Sequence, residues 1–229
     1  ATEFVRSGWR MKSLQRLIVT SATYRQASGP RKGPSTIDPE NQLLGRFRLQ
    51  RLDAESLRDA MLSVAGELDR TAGGPFVPAE RTEEGQFVVN EKSAGAKRRS
   101  LYLQQRRTKP VTMLDLFDGA QMNPNCTRRH TATVPLQSLA LLNSEFTRAR
   151  SRALARRLVN ESGGDPGRGI ARAFGLCLGR DATAAERTAA EEFFKSQPPL
   201  YAGQTEARES VWTDFCQMLL ASNAFLYVE

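Results

Sequence analysis

"DAESLRDAMLSVAGEL", Asp53 to Leu68, is the stretch from which the fold is read. Leu57, Met61, Val64, Ala65 and Leu68 recur at steps of three and four, the spacing that gathers apolar side chains on one face of an α-helix. Asp53 stands where a cap is needed. Its short carboxylate can accept amide hydrogens that the first helical turn leaves unpaired. The helix is expected to end before "TAGGP", where Gly73 and Gly74 break the pattern.

The same period extends to both sides. Toward the N-terminus, "TEFVRSGW" and "SLQRLIVTSATY" read as two short helices, the second capped by Ser13 with Leu14, Leu17 and Ile18 on one face. "ASGPRKGPSTIDPE" is a loop, and "NQLLGRFRLQRL" reads as a helix with Leu43, Leu44 and Phe47 on one side. Toward the C-terminus, "TMLDLFDGA" is a short helix with Thr112 as cap. "VPLQSLALLN" follows, with Pro135 in the first turn, where no amide donor is needed. "SEFTRARSRALARRLVNES" continues after a reset at Asn143–Ser144. "GIARAFGLCLGR" is closed by Gly179. "TAAERTAAEEFFKSQ" opens on a capping box, Thr183 with Glu186. "ESVWTDFCQMLLAS" is the last helix, and "NAFLYVE" a docked tail.

Residues 75–111 break this rhythm. "GQFVVNE" and "RRSLYLQQ" are short, partly alternating and rich in β-branched or aromatic residues, which predicts two or three short strands. "AERTEEG" and "KSAGAKRR" read as mobile loops between them. The expected fold is mainly α: one multi-helix domain over residues 1–229, with a small β element near 75–105 inside a β-containing insertion at 75–111. A chain of 229 residues is long enough for a substantial core. No apolar run approaches the roughly 18–20 residues that span a bilayer. The chain opens on "ATEFVRSGW", without Met and as if inside a helix, so it is expected to be an N-terminally truncated fragment of a longer protein.

Charge and cysteine usage narrow the chemistry. The net charge is +8, with 27 arginines against 6 lysines. Guanidinium is a planar fork suited to carboxylate, phosphate or sulfate. An anionic partner such as an acidic glycan is one reading of this bias; scattered, solvated surface is the other. Nucleic acid is disfavoured, because Trp9, Tyr24, Tyr102 and Trp212 are not interleaved with the arginine clusters. Three cysteines are too few for a disulfide framework. Cys177 and Cys216 sit among apolar residues at helical spacing and are expected as small buried hydrophobes. A disulfide from Cys126 stays open. One histidine and no C-x-x-C predict no metal site, and there is no glycine-rich phosphate loop.

"NPNCTRRHTATVPLQ" concentrates what chemistry remains. It holds His130, with Cys126 four residues before it. A thiol and a base so close in sequence can form a catalytic pair, or simply lie in a loop tethered ahead of a helix. Nucleophile and base normally come from separate rigid elements, which favours the loop. Asp115 and Asp118 stand one helical turn apart and could divide acid and base work, or Asp118 could order the turn at "DGAQ". Asp118 and His130 are the catalytic candidates. Arg98, Arg99, Arg106 and Arg107 flank "SLYLQ", while Arg128 and Arg129 precede Thr131, Thr133 and Gln137. If the loop folds over the strand, these converge on an anion beside the helix start at Pro135. Otherwise the arginines pair with Asp118 or loop carbonyls. The ligand-binding candidates are Arg99, Tyr102, Arg129, Thr133 and Gln137.

Five stretches carry a resemblance: "SGWRMKSLQRLIVTSATYRQAS", "RLDAESLRDAMLSVAGELDRTAGGP", "RRSLYL", "FDGAQMNPNCTRRHTATVPLQSLALLN" and "VWTDFCQMLLASNAFLYV". In this order, over nearly the whole chain, they resemble the planctomycete cytochrome-associated family called domain of unknown function 1553. The resemblance is densest at Arg99, Tyr102, Asp118, Cys126, Arg129, Thr133, Pro135, Gln137 and Asn143. It implies the C-terminal part of an exported multi-domain protein, hence an extracytoplasmic setting. It also implies upstream domains as partners, one of them haem-bearing, and a link to polysaccharide breakdown. It implies no established activity. Haem is expected only upstream, since this chain lacks C-x-x-C-H and should carry no cofactor. The leading expectation is a non-catalytic binding or assembly module. The alternative is an enzyme acting on acidic or sulfated glycans through an arginine-rich site near Asp118 and His130.

Overall fold

The structure is a computed structural model that describes residues 1–29, 38–120, 129, 131–203 and 207–228. Among them are ten α-helices and two small two-stranded sheets, so the fold is mainly α with a small β element. The chain divides into two compact units, Ala1–Arg51 with Tyr227–Glu229, and Leu52–Leu226. No helix among the described residues is long and apolar enough to cross a membrane.

In the first unit, α1 (Thr2–Arg6) and α2 (Met11–Val19) are joined by a turn in which Gly8 and Trp9 take left-handed φ angles of 72° and 60°. α2 starts two residues ahead of Ser13, the expected cap; Arg10 holds the capping position, with no side-chain bond. The helix expected around Leu43 and Leu44 does not form. Asn41 Nδ2 donates to the Arg46 carbonyl at 2.7 Å, and the Arg46 amide donates back to Asn41 Oδ1 at 3.1 Å. An Asn that bonds the backbone locally offers the chain an alternative to the helical ladder. Asn41 and Leu44 both sit at φ 55°, outside the right-handed helical region. β1 (Gln50–Arg51) pairs antiparallel with Tyr227–Val228.

The second unit begins with α3 (Ala54–Val64), capped as expected. Asp53 Oδ1 accepts the Ser56 amide at 2.7 Å. α3 ends earlier than its apolar spacing suggests, because Gly66 adopts φ 76° and turns the chain. Ala54, Leu57, Met61 and Leu62 are fully buried. β2 (Glu80–Arg81) and β3 (Phe87–Val88) form an antiparallel hairpin, so the expected loop "AERTEEG" supplies a strand. The expected strand in "RRSLYLQQ" is a 3-10 turn at Ser100–Tyr102, after which Leu103 bridges in parallel to Val77.

The helices α4 (Thr112–Leu116), α5 (Pro135–Asn143), α6 (Glu145–Ser162), α7 (Pro166–Leu178), α8 (Ala184–Ser196), α9 (Ala207–Leu220) and α10 (Asn223–Leu226) complete the unit. The predicted ends hold at α5 (Pro135), α7 (Gly179 at φ 67°) and α8 (the reciprocal Thr183–Glu186 bonds). α6 and α9 make the most extensive helix pair. Around them Trp212, Phe215, Phe193 and Phe194 interlock, with the Phe194 and Trp212 rings 4.4 Å apart. Gly169 on α7 gives the Trp212 indole its room.

Candidate functional site

The described sequence candidates are carried by, or bonded to, α3, the turn at residues 98–103, α4 and the start of α5. Cys126, Arg128 and His130 lie outside the described residues. The others can be placed one by one.

Arg129 reaches the first turn of α3. Its Nη1 lies 2.5 Å from Glu55 Oε2, its Nη2 3.1 Å from Glu55 Oε1, and Asp53 Oδ2 is 3.8 Å from Nη1. Asp118 sits at φ 61°, and its Oδ2 accepts the Ala132 amide at 2.9 Å. The expected ordering of the turn by Asp118 is thus visible at one of its bonds. Gln137, in the first turn of α5, is buried. Its Nε2 donates to the Leu116 carbonyl at 2.9 Å and to the Ala132 carbonyl at 3.1 Å, and its Oε1 accepts the Val134 amide at 3.4 Å. Thr133 is exposed. Thr112, expected to cap α4, instead accepts the Phe87 amide on Oγ1 at 2.9 Å and ties α4 to β3.

The arginines of "RRSLYL" behave differently from each other. Arg99 is 56% exposed, with Nε 3.8 Å from Asp59 Oδ2. Arg98 is buried. Its guanidinium donates to the carbonyls of Pro75 (2.8 Å), Thr71 (3.3 Å) and Gly73, and lies over the Tyr102 ring, 3.8 Å from its centroid. The Tyr102 hydroxyl accepts the Gly73 amide at 2.9 Å. Arg98 and Tyr102 together therefore hold the loop at residues 71–75.

Two further buried arginines were not singled out from sequence. Arg58 on α3 donates to the carbonyls of Ala96 (2.6 Å) and Arg98 (2.9 Å), and Arg150 on α6 pairs with Glu91 at 2.6 Å and Glu67 at 2.9 Å. They share the Phe146 ring, at 5.5 and 5.0 Å from its centroid. Burial pushes the Arg58 guanidinium down to about 10, against the pull of Asp59 and Glu91. A signal existed: Arg58 adjoins Leu57 in the apolar stripe of α3, and Arg150 falls between Thr147 and Leu154 on that of α6. An arginine on a core-facing stripe must find carbonyls or carboxylates.

What remains open is a cleft of about 340 Å³, lined by Gln105, Arg106, Arg107, Thr108, Asp115 and Glu55 among others. Arg106, Arg107 and Asp115 are exposed. Two guanidinium forks and a carboxylate suit a polar ligand carrying both an acid group and hydroxyls. Burial raises the Cys177 thiol to about 12 and pushes the Cys216 thiol up as well, and both are free. Neither is poised as a nucleophile. Among the described residues, no group of three or more His, Cys, Asp or Glu could hold a metal ion. Residues 1–194 match the family model described as "Protein of unknown function (DUF1553)". No curated protein and no solved structure matches the chain.

Proposed function

The chain belongs to the family of unknown function DUF1553, and within it we propose a non-catalytic binding or assembly module. One observation carries this reading. Arg129, Asp118, Tyr102 and Gln137, four of the residues singled out from sequence, are engaged with a first-turn carboxylate of α3 or with backbone groups. A catalytic group needs its polar atoms aimed at a space where a reacting atom can sit. These are aimed at the chain: Arg129 pairs with α3, Gln137 ties α5 to the end of α4, and Tyr102 holds the loop at residues 71–75.

The resemblance of the five quoted stretches supports the wider setting, which stands here as part of the proposal. The parent protein is exported and acts outside the cytoplasm. It belongs to the planctomycete cytochrome-associated group and serves polysaccharide breakdown. Haem belongs to an upstream domain, as that resemblance implies. The upstream domains are the partners. The test is a titration of the purified chain with the separately expressed haem-bearing segment of its parent, followed by calorimetry. Saturable binding, with no turnover on uronate or sulfated glycans, is expected. Turnover abolished by Asp118→Asn would overturn the proposal.

The cleft favours a second reading, an enzyme or receptor for acidic or sulfated glycans. Arg106 and Arg107 would take the anionic group and Asp115 a hydroxyl. Thermal stabilisation by a sulfated oligosaccharide, lost in Arg106→Ala/Arg107→Ala, is its signature.

A further inference from the structure

The first unit carries a surface that the proposal above does not use. Val5, Trp9, Met11, Leu17, Ile18 and Val19, all within residues 5–19, are between 47% and 67% exposed. No residue of α2 is buried. An exposed apolar patch of this density marks an interaction site.

The patch is ordered. Along α2, Met11, Leu14 and Ile18 follow steps of three and four, with Leu17 beside them, whereas Lys12 and Arg16 stand one turn apart on the opposite side. Charge is equally one-sided. Residues 1–29 hold Arg6, Arg10, Lys12, Arg16 and Arg25 against the single carboxylate of Glu3. Trp9 sits at φ 60°, a left-handed conformation uncommon for a non-glycine residue. Its ring is held edge-on to Phe4 at 5.2 Å and its amide donates to the Phe4 carbonyl at 3.0 Å, so the indole is fixed in position while remaining 67% exposed.

We propose that this face of the first unit docks peripherally on an anionic lipid surface. Here an apolar stripe is backed by five cations against one carboxylate, Glu3, which pairs with Arg6 at 3.6 Å, and a tryptophan stands at its edge. That is the arrangement of a helix lying in a membrane interface, where lysine and arginine stems run past the apolar layer to reach headgroup phosphates. The role is distinct from the cleft and from assembly with upstream domains.

The test is co-sedimentation of the purified chain with vesicles of phosphatidylcholine alone, and with vesicles of two parts phosphatidylcholine to one part phosphatidylglycerol. Binding is expected only to the anionic vesicles and should weaken as salt rises. Leu17→Glu/Ile18→Glu and Lys12→Glu/Arg16→Glu should each weaken it about tenfold or more. Both pairs are solvent-facing, so circular dichroism should be unchanged. Leu139→Glu, at an exposed leucine of α5, should leave binding intact. Absence of sedimentation with either vesicle would overturn the proposal. So would equal binding to both vesicles, or light scattering that shows a dimer dispersed by Leu17→Glu/Ile18→Glu.

Discussion

Arg129 and Glu55 form a two-pronged ion pair across 74 positions of sequence, with contacts of 2.5 and 3.1 Å. Glu55 lies in the first turn of α3, where the unpaired amides already favour a negative charge. The pair therefore fixes the segment before α5 to a helix end that would hold a carboxylate anyway. Arg129 is 38% exposed and Glu55 26% exposed, so solvent screens much of the attraction. A double-mutant cycle of Arg129→Ala and Glu55→Gln, read by urea unfolding, should give a coupling of about 0.5–1 kcal/mol. The coupling should shrink at high salt. A coupling near zero, together with loss of sulfate binding in Arg129→Ala, would return Arg129 to the list of ligand-binding residues.

Glu186 gives α8 a pH-dependent cap. Its carboxylate accepts from both terminal nitrogens of Arg180, at 2.8 and 2.7 Å, and from the Thr183 amide at 2.8 Å. These bonds, the Arg180 pair first, hold its pKa down to about 2 from an ordinary 4.5. The folded state thus releases this proton more readily than the unfolded state. The cap's contribution is complete above pH 4.5 and is lost as pH falls toward 2. Glu186→Gln should be less stable than the wild type at pH 7, and the gap should close near pH 2. A gap that persists unchanged at pH 2 would mean that the charge of Glu186 contributes nothing.

How far the sequence could be read depended on whether a signal was local. Asp53 and the Thr183–Glu186 box mark helix ends through bonds to residues three positions away, Pro135 through its missing amide and Gly179 through its left-handed φ, and all four are found where expected. The stretch around Leu43 and Leu44 misled because its apolar spacing is helical. A side chain two residues earlier, Asn41, bonds the backbone and turns the chain instead. The arginines misled for the opposite reason. Arg58 and Arg98 reach carbonyls 23 to 40 positions away, and Arg150 reaches a carboxylate 59 positions away. Only a place on an apolar helix stripe marks Arg58 and Arg150, and nothing local distinguishes Arg98 from the solvated Arg106 and Arg107. The division between arginines that hold the fold and arginines that face the cleft is a tertiary fact.

Gly169 marks a second such fact. A Cβ built there would run into the Trp212 indole, which is 2% exposed and packed against Phe194 and Phe215. The indole has no free direction in which to retreat. Gly169→Ala lies inside a helix, where alanine is intrinsically better by about 1 kcal/mol. Overpacking nevertheless wins here, and a net loss of about 1–3 kcal/mol is expected. Thermal unfolding followed by tryptophan fluorescence would measure it. A raised Tm would show that α7 and α9 can part at no cost.

Arg98 and Arg99 are neighbours with the same side chain, and the structure assigns them opposite weights. Removing the Arg98 guanidinium leaves the Thr71, Gly73 and Pro75 carbonyls without their donor and takes the cation off the Tyr102 ring. It also empties a buried site, so the loss combines unpaired polar groups with missing packing. Arg98→Ala should cost about 3 kcal/mol. Arg99 meets Asp59 only at 3.8 Å and is 56% exposed. Asp59 Oδ1 already accepts the Ser100 amide and hydroxyl, both at 2.7 Å, and does not depend on Arg99. Arg99→Ala should therefore fall within about 0.5 kcal/mol of the wild type. Urea titrations of the two variants side by side test the assignment. Equal losses would mean that Arg99 carries structural load through Asp59. A stable Arg98→Ala would mean that the loop at residues 71–75 holds its shape without the guanidinium.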